Sequence, residues 1–148
     1  MRRITSLTRR CIDDYAMISE GDKIAVGVSG GKDSLILLCA LAELQRYHTK
    51  AFKLHAIAID LGFACTNYSP LRELCARINV PFTRVDTDIS QVVFDAREET
   101  NPCSLCAKMR KGALMGTASD LGCTRVALGH HFDDAINTFM MSLVFEGR

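Results

Sequence analysis

The stretch KIAVGVSGGKDSLILLCALAELQ, from Lys23 to Gln45, limits the possible folds more sharply than any other part of the chain. Lys23 to Val28 is short, β-branched and bounded by glycine, as a strand buried on both faces of a parallel sheet is. Ser34 to Gln45 has the length and composition of a helix. A strand, a tight loop and a helix in that order form a crossover unit, and the remaining sequence repeats it. Phe52 to Asp60 reads as a second strand, Phe82 to Val85 as a third and Thr124 to Leu128 as a fourth. Ser69, as a capping hydroxyl, and Pro70 open a helix to about Ile78. Asn101 and Pro102 open one from Cys103 to about Leu121, and a last helix runs from Asp133 to about Val144. Before all of these, Ile4, Leu7, Cys11, Tyr15 and Ile18 recur at three and four residues, the stripe of an amphipathic helix that Glu20-Gly21-Asp22 breaks. The expected organisation is an N-terminal helix over residues 1–20 and an α/β domain over 21–148, doubly wound around a parallel sheet.

Composition narrows the class. At 148 residues the chain suits one domain, and 48% hydrophobic with 24% charged residues is a globular balance. The longest apolar run, Leu35 to Ala42, falls well short of the roughly 20 residues of a membrane span, and no apolar core follows the first arginines, so the chain reads as cytosolic. Seven cysteines, an odd number without a secretory signal, point to thiol, metal or redox chemistry rather than disulfides. Cys11, Cys39, Cys65, Cys75 and Cys123 read as ordinary core residues. The net charge of +1 makes no global case for nucleic acid, although Arg2, Arg3, Arg9 and Arg10, and again Lys108, Arg110 and Lys111, form basic groups. A solvated helix face is the plainer reading of the first group.

The loop after the first strand falls where open α/β sheets bind ligands, at the carboxyl ends of the strands. Gly30 and Gly31 permit close backbone approach, and the amides and dipole of the following helix attract an anion. Ser29 and Ser34 supply hydroxyls, Lys32 a point charge, and Asp33 a ligand for magnesium or water. The loop is not a Walker A motif: Gly27 and Gly31-Lys32 stand one residue too close, and Asp33 occupies the place of serine or threonine.

Two further groups face the same edge. Cys103 and Cys106 lie three apart on the first turn of a helix, so their sulfurs share a face; the helix N-terminus and nearby cations favour thiolate. A lone CxxC fits zinc, a redox pair, iron–sulfur ligation or coincidence alike. Gly129-His130-His131-Phe132-Asp133-Asp134 follows the fourth strand and can hold a divalent cation or phosphate, or simply cap a helix. Asp60, ending the second strand, is a third acidic group there.

SGGKDS after a hydrophobic strand is similar to the PP-loop of the N-type ATP pyrophosphatases, which cleave ATP between its α and β phosphates to adenylate a substrate. With CSLCAKMRKGAL and ALGHHFDD following in order, the chain resembles the tRNA 2-thiocytidine synthetase family over nearly its whole length. EGDKIAVGVSGGKDS and the LGHH-x-DD turn carry most of that likeness. The resemblance implies an adenine nucleotide α-hydrolase-like, Rossmann-like fold, here as an N-terminal half with the C-terminal part of the domain absent. It also implies ATP, magnesium and a 4Fe-4S cluster as cofactors. Its partners would be a tRNA and a sulfur donor, either a cysteine desulfurase persulfide or sulfide, and a homodimer is compatible with it. Ser29, Gly30, Gly31, Lys32, Asp33 and Ser34 would hold the phosphates, with Val28, Ile59 and Gly129 flanking the adenosine by their backbone and His130 beside them. Asp134, with Asp33, would serve magnesium, and Cys103 and Cys106 would bind the cluster, whose third cysteine lies in the family's C-terminal half. Lys32, Asp33, Asp60 and Arg110 are the candidate catalytic residues. Two other readings stay open: a PP-loop ligase of the lysidine synthetase type, which leaves CSLC without a role, and a non-catalytic nucleotide-binding module.

Overall fold

The computed structural model of the chain describes residues 2–63, 67–96 and 102–146. Cys65 and Asn101, both named above, lie outside them. All four expected strands form: β1 (Lys23–Gly27), β2 (Lys53–Asp60), β3 (Phe82–Asp86) and β4 (Arg125–Leu128). They make one parallel sheet in the order β3-β2-β1-β4, with Gly27 opposite Ile57 on one side and Leu128 on the other. The helices are α1 (Arg2–Asp14), α2 (Lys32–Leu44), α3 (Ser69–Arg77), α4 (Pro102–Asp120) and α5 (Phe132–Met141).

The strand order follows from the connections. From β1 the chain steps outward through α2 to β2 and through α3 to β3, then returns through α4 to the other flank of β1. Strand residues alternate between two apolar layers, as the period of two requires. Ile24, Val26, Leu54, Ala56 and Ala58 pack against Ile12 of α1, Leu38, Leu41 and Leu44 of α2, and Leu71 and Cys75 of α3. Ala25, Ile57 and Ile59 face the other way, onto Leu114 and Ala118 of α4. Leu38, Leu44 and Ile57 are fully buried, each stabilising by about 1.5–3 kcal/mol relative to exposure.

Several expected boundaries shift for local reasons. α2 begins at Lys32 rather than Ser34, because the extended backbone of Gly31 already serves as its N-cap. Ser69 is the first residue of α3 and not its cap; its amide donates to Asn67 Oδ1 at 2.9 Å, and Pro70 sits in the first turn where its missing N–H costs nothing. The last helix ends at Met141 and continues as a π-helical turn, Ser142–Glu146, and a second such turn, Gln91–Ala96, follows β3. Cys11, expected in the core, lies exposed on the outer face of α1, while Cys75 is buried. Among the described residues no helix is long and apolar enough to cross a membrane.

Candidate functional site

With this strand order the connections leave β1 and β4 in opposite senses, which opens a crevice at their carboxyl ends. The crevice is a cavity of about 690 Å³. Its floor is the loop after β1, one wall is the end of β2 with Phe63, a second is the N-terminal half of α4, and a third is Gly129 and His130 after β4.

The loop is held by its own hydroxyls. Ser34, buried at the start of α2, donates to the Gly31 carbonyl at 2.9 Å and accepts from the Ser29 amide at 3.3 Å. Gly30 turns with φ +81°, a left-handed conformation that suits glycine. The amides of the first turn of α2 have no partner within the helix, and Gly31, Asp33 and Ser34 at that end line the cavity. Gly129 completes the floor by close approach: a Cβ there would stand 2.7 Å from the Ser34 amide nitrogen and 2.9 Å from the Asp33 carbonyl carbon. Gly27 is similar, since its Cβ would meet Leu128 at 2.8 Å and Leu114 at 2.9 Å.

α4 brings Cys103, Cys106, Arg110 and Lys111 to the opposite wall. Cys103 is exposed and Cys106 half-buried. By contrast, burial pushes the thiols of Cys39, Cys75 and Cys123 up, which keeps them protonated and poor ligands. Cys123 lies past the far end of α4, its amide bonded back to the Ala118 carbonyl, roughly 20 Å along the helix axis from the cysteine pair at 1.5 Å per residue. It cannot join them. Among the described residues no group of three or more His, Cys, Asp or Glu side chains is arranged to hold a metal ion. The two cavity thiols suit a thiophilic group, but these residues supply two ligands and not three.

Val28, Ser29, Gly31, Asp33, Ser34, Ile59, Gly129, His130, Cys103, Cys106 and Arg110 all line the cavity, so most of the sequence-derived residues are brought together. Gly30, in the same loop, and the exposed Lys32, at the start of α2, are not among the lining residues. Asp134 is also outside the lining. Its carboxylate accepts from the His131 amide at 2.9 Å and lies 3.9 Å from the His131 ring, so it serves the start of α5. Asp60 departs furthest from expectation. It is buried and turned toward β3, where Arg84 Nη2 meets its Oδ2 at 2.8 Å and the Gly62 amide donates to Oδ1 at 3.0 Å. Both of its oxygens are thus engaged within the fold, and it is not among the residues that line the cavity. Sequence reasoning passes over Phe63 and Leu114. Leu114 follows Cys106 and Arg110 at four-residue steps, a helical periodicity that could have found it; Phe63 offers no such signal.

Comparisons with known proteins agree with this geometry. The profile of the PP-loop domain family matches residues 2–147. The tRNA-cytidine(32) 2-sulfurtransferase of Pelobacter propionicus is 40% identical over 147 residues, 99% of this chain and 55% of its own length. That of Alkalilimnicola ehrlichii is 40% identical over 148 residues, 99% of this chain and 47% of its own. The chain thus spans about half the length of the curated relatives it matches. Among solved structures, the U34-tRNA thiolase of Methanococcus maripaludis, determined with its 4Fe-4S cluster, superposes with a TM-score of 0.82 at 26% identity, over 98% of this chain and 50% of the thiolase. An NH3-dependent NAD synthetase from Campylobacter jejuni shares the fold, with a TM-score of 0.55 at 18% identity, over 95% of this chain and 73% of its own.

Proposed function

The chain belongs to the PP-loop domain family, and from that premise we propose that it binds ATP in the cavity and takes part in ATP-dependent tRNA thiolation in the cytoplasm. The observation that carries the reading is one juxtaposition: the SGGKDS loop and the CSLC turn face each other across a single cavity. Anion-binding amides and a thiol pair are the two halves of an adenylation and sulfur-transfer site.

The 2-oxygen of a cytidine attacks the α-phosphorus of ATP, the bond from that phosphorus to the bridging oxygen breaks, and pyrophosphate leaves. A sulfur nucleophile then attacks C2, the C2–O bond breaks, and AMP departs with the oxygen. Adenylation is needed because a carbonyl oxygen is a poor leaving group. Lys32 and the loop amides stabilise the charge on the departing pyrophosphate. Arg110 faces the phosphates from α4, Asp33 and Asp134 are the carboxylates available to magnesium, and Val28, Ile59, Gly129 and His130 flank the nucleoside. Asp60 is assigned no chemical step. When bound, a 4Fe-4S cluster supplies iron at which sulfur can be presented, and Cys103 and Cys106 are the residues here that would hold it. The sulfur donor would be a persulfide or sulfide, and a homodimer accords with this reading.

One observation favours a second reading, a nucleotide-binding module without catalysis: the described residues offer the cavity two thiols only. Pyrophosphate release from ATP, measured with and without tRNA in protein purified anaerobically with iron and sulfide counted, separates the two. Release that depends on tRNA and on Cys103 supports thiolation. ATP binding without release, in protein free of iron, supports the module.

A further inference from the structure

The cavity is chemically divided. Ser29, Gly31 and Ser34 form an anion-binding side, whereas Ile57, Ile59, Phe63 and Leu114 form an apolar side under β2 and α4. Among the described residues that line it, Phe63 carries the one phenyl ring, and it is half exposed. A ring at the edge of a loop holds a ligand only if its backbone is fixed, and this one is fixed from several directions.

The Asp60 carbonyl accepts from the Thr87 amide at 3.1 Å and the Thr87 hydroxyl at 2.7 Å, and the Leu61 carbonyl accepts from the Ser90 amide at 2.8 Å. Gly62, at φ +86°, packs so tightly that a Cβ would lie 2.8 Å from the Thr87 carbonyl oxygen and 3.0 Å from the Ser90 hydroxyl. Below it, Arg84 joins Asp60 Oδ2 at 2.8 Å to Asp86 Oδ1 at 2.6 Å, with its guanidinium 5.0 Å from the centre of the Tyr68 ring. The residue immediately before Phe63 is therefore clamped to the segment after β3, next to the ion pair that the buried Asp60 makes with the exposed Arg84.

We propose that Phe63 is the stacking wall for the base of the bound nucleotide, and that Arg84, acting through Asp60 and the clamped Gly62 turn, is the positioning residue that sets it. The proposal rests on the ATP reading above and extends it: phosphates lie on the loop after β1, and the purine lies against the apolar side under Phe63. Planar rings stack on phenyl faces through dispersion and desolvation, whereas an inorganic phosphate chain has nothing to place there.

The test is calorimetric titration of the whole chain with ATP and, separately, with inorganic triphosphate. Phe63→Ala is expected to weaken ATP binding about tenfold, the effect of losing one base–aromatic contact, and to leave triphosphate binding unchanged. Phe63→Trp should restore ATP binding. Arg84→Gln should reproduce the ATP-selective loss, and the double variant should lose no more than either alone, because both act on one contact. Should Arg84→Gln fail to fold by circular dichroism, Arg84→Lys, which keeps the charge but not the two-sided fork, takes its place with a smaller loss. Equal weakening of ATP and triphosphate in Phe63→Ala, or no weakening of either, would overturn the stacking role while the ATP reading stands. A wild-type chain that binds triphosphate but not ATP would overturn both.

Discussion

The two flanks of β1 differ as much as any regions of the molecule. Toward β2, Ala25, Val26, Ala56, Ile57 and Ala58 have no solvent exposure at all. Toward β4, no residue of that strand is buried, none of α5 is buried, and Phe132 and Phe139 are 76% and 63% exposed. The cavity straddles the boundary: its phosphate loop grows from the buried flank, and its Gly129–His130 wall from the exposed one. Stability is distributed unevenly in proteins, and elements with few buried contacts open first. The floor of the site is thus anchored in the core, and its Gly129–His130 wall is supported by an edge strand.

What ties the exposed flank down is polar. Asp22, buried before β1, accepts from the Thr124 hydroxyl at 2.7 Å and meets Arg125 Nε at 3.3 Å, and Lys23 Nζ donates to the Leu121 carbonyl at 2.6 Å. The Ser19 amide, then the Thr124 hydroxyl, with Arg125 adding to them, hold the Asp22 carboxyl below its ordinary range. A depressed carboxylate stabilises the fold above its unfolded value, about 3.9, and loses that contribution as pH falls below it through the folded value.

This contrast can be broken from either side. The largest effect should come from the buried flank: Leu38→Ala, in a side chain with no exposure, is expected to cost about 2–5 kcal/mol in urea unfolding. Next comes the seam, where Gly129→Ala forces a methyl against the α2 backbone; it should cost about 1–3 kcal/mol and weaken ATP binding more than a change elsewhere on β4. A Gly129→Ala protein that binds ATP normally would mean the seam yields freely. Asp22→Asn should lower the melting temperature at neutral pH and speed amide exchange in β4 before β1, with the gap to wild type narrowing at pH 3. An unchanged gap across that range would remove the carboxylate from the account. The smallest stability effect belongs to the exposed flank: Phe139→Ser is expected to shift unfolding by less than about 0.5 kcal/mol, while light scattering reports less self-association.

The architecture was legible because strands and helices alternate in length and composition along the chain, as in Lys23–Gln45. The cavity's membership was largely legible for the same reason, since loops following parallel strands converge on one edge. What was hidden depends on contacts between distant positions. Asp60 reads as a free acid until Arg84, two strand positions away across the β2–β3 pair, is known to neutralise it. Gly129 reads as a neighbour of the nucleoside, and its close approach to the Ser34 backbone shows only in the structure. Cys11 occupies a helical stripe position, yet the helix is rotated so that Thr5 and Ile12 face inward instead.

The hydroxyl of Ser34 has a consequence for binding kinetics. Because it ties Gly31 and Ser29 together by bonds within the chain itself, the nest of amides needs no anion to shape it. Little ordering entropy is then lost on capture, so encounter should proceed at the ordinary rate for a preformed site, without a slow loop-closing phase. Differences in affinity among nucleotides should appear as differences in how long each one stays.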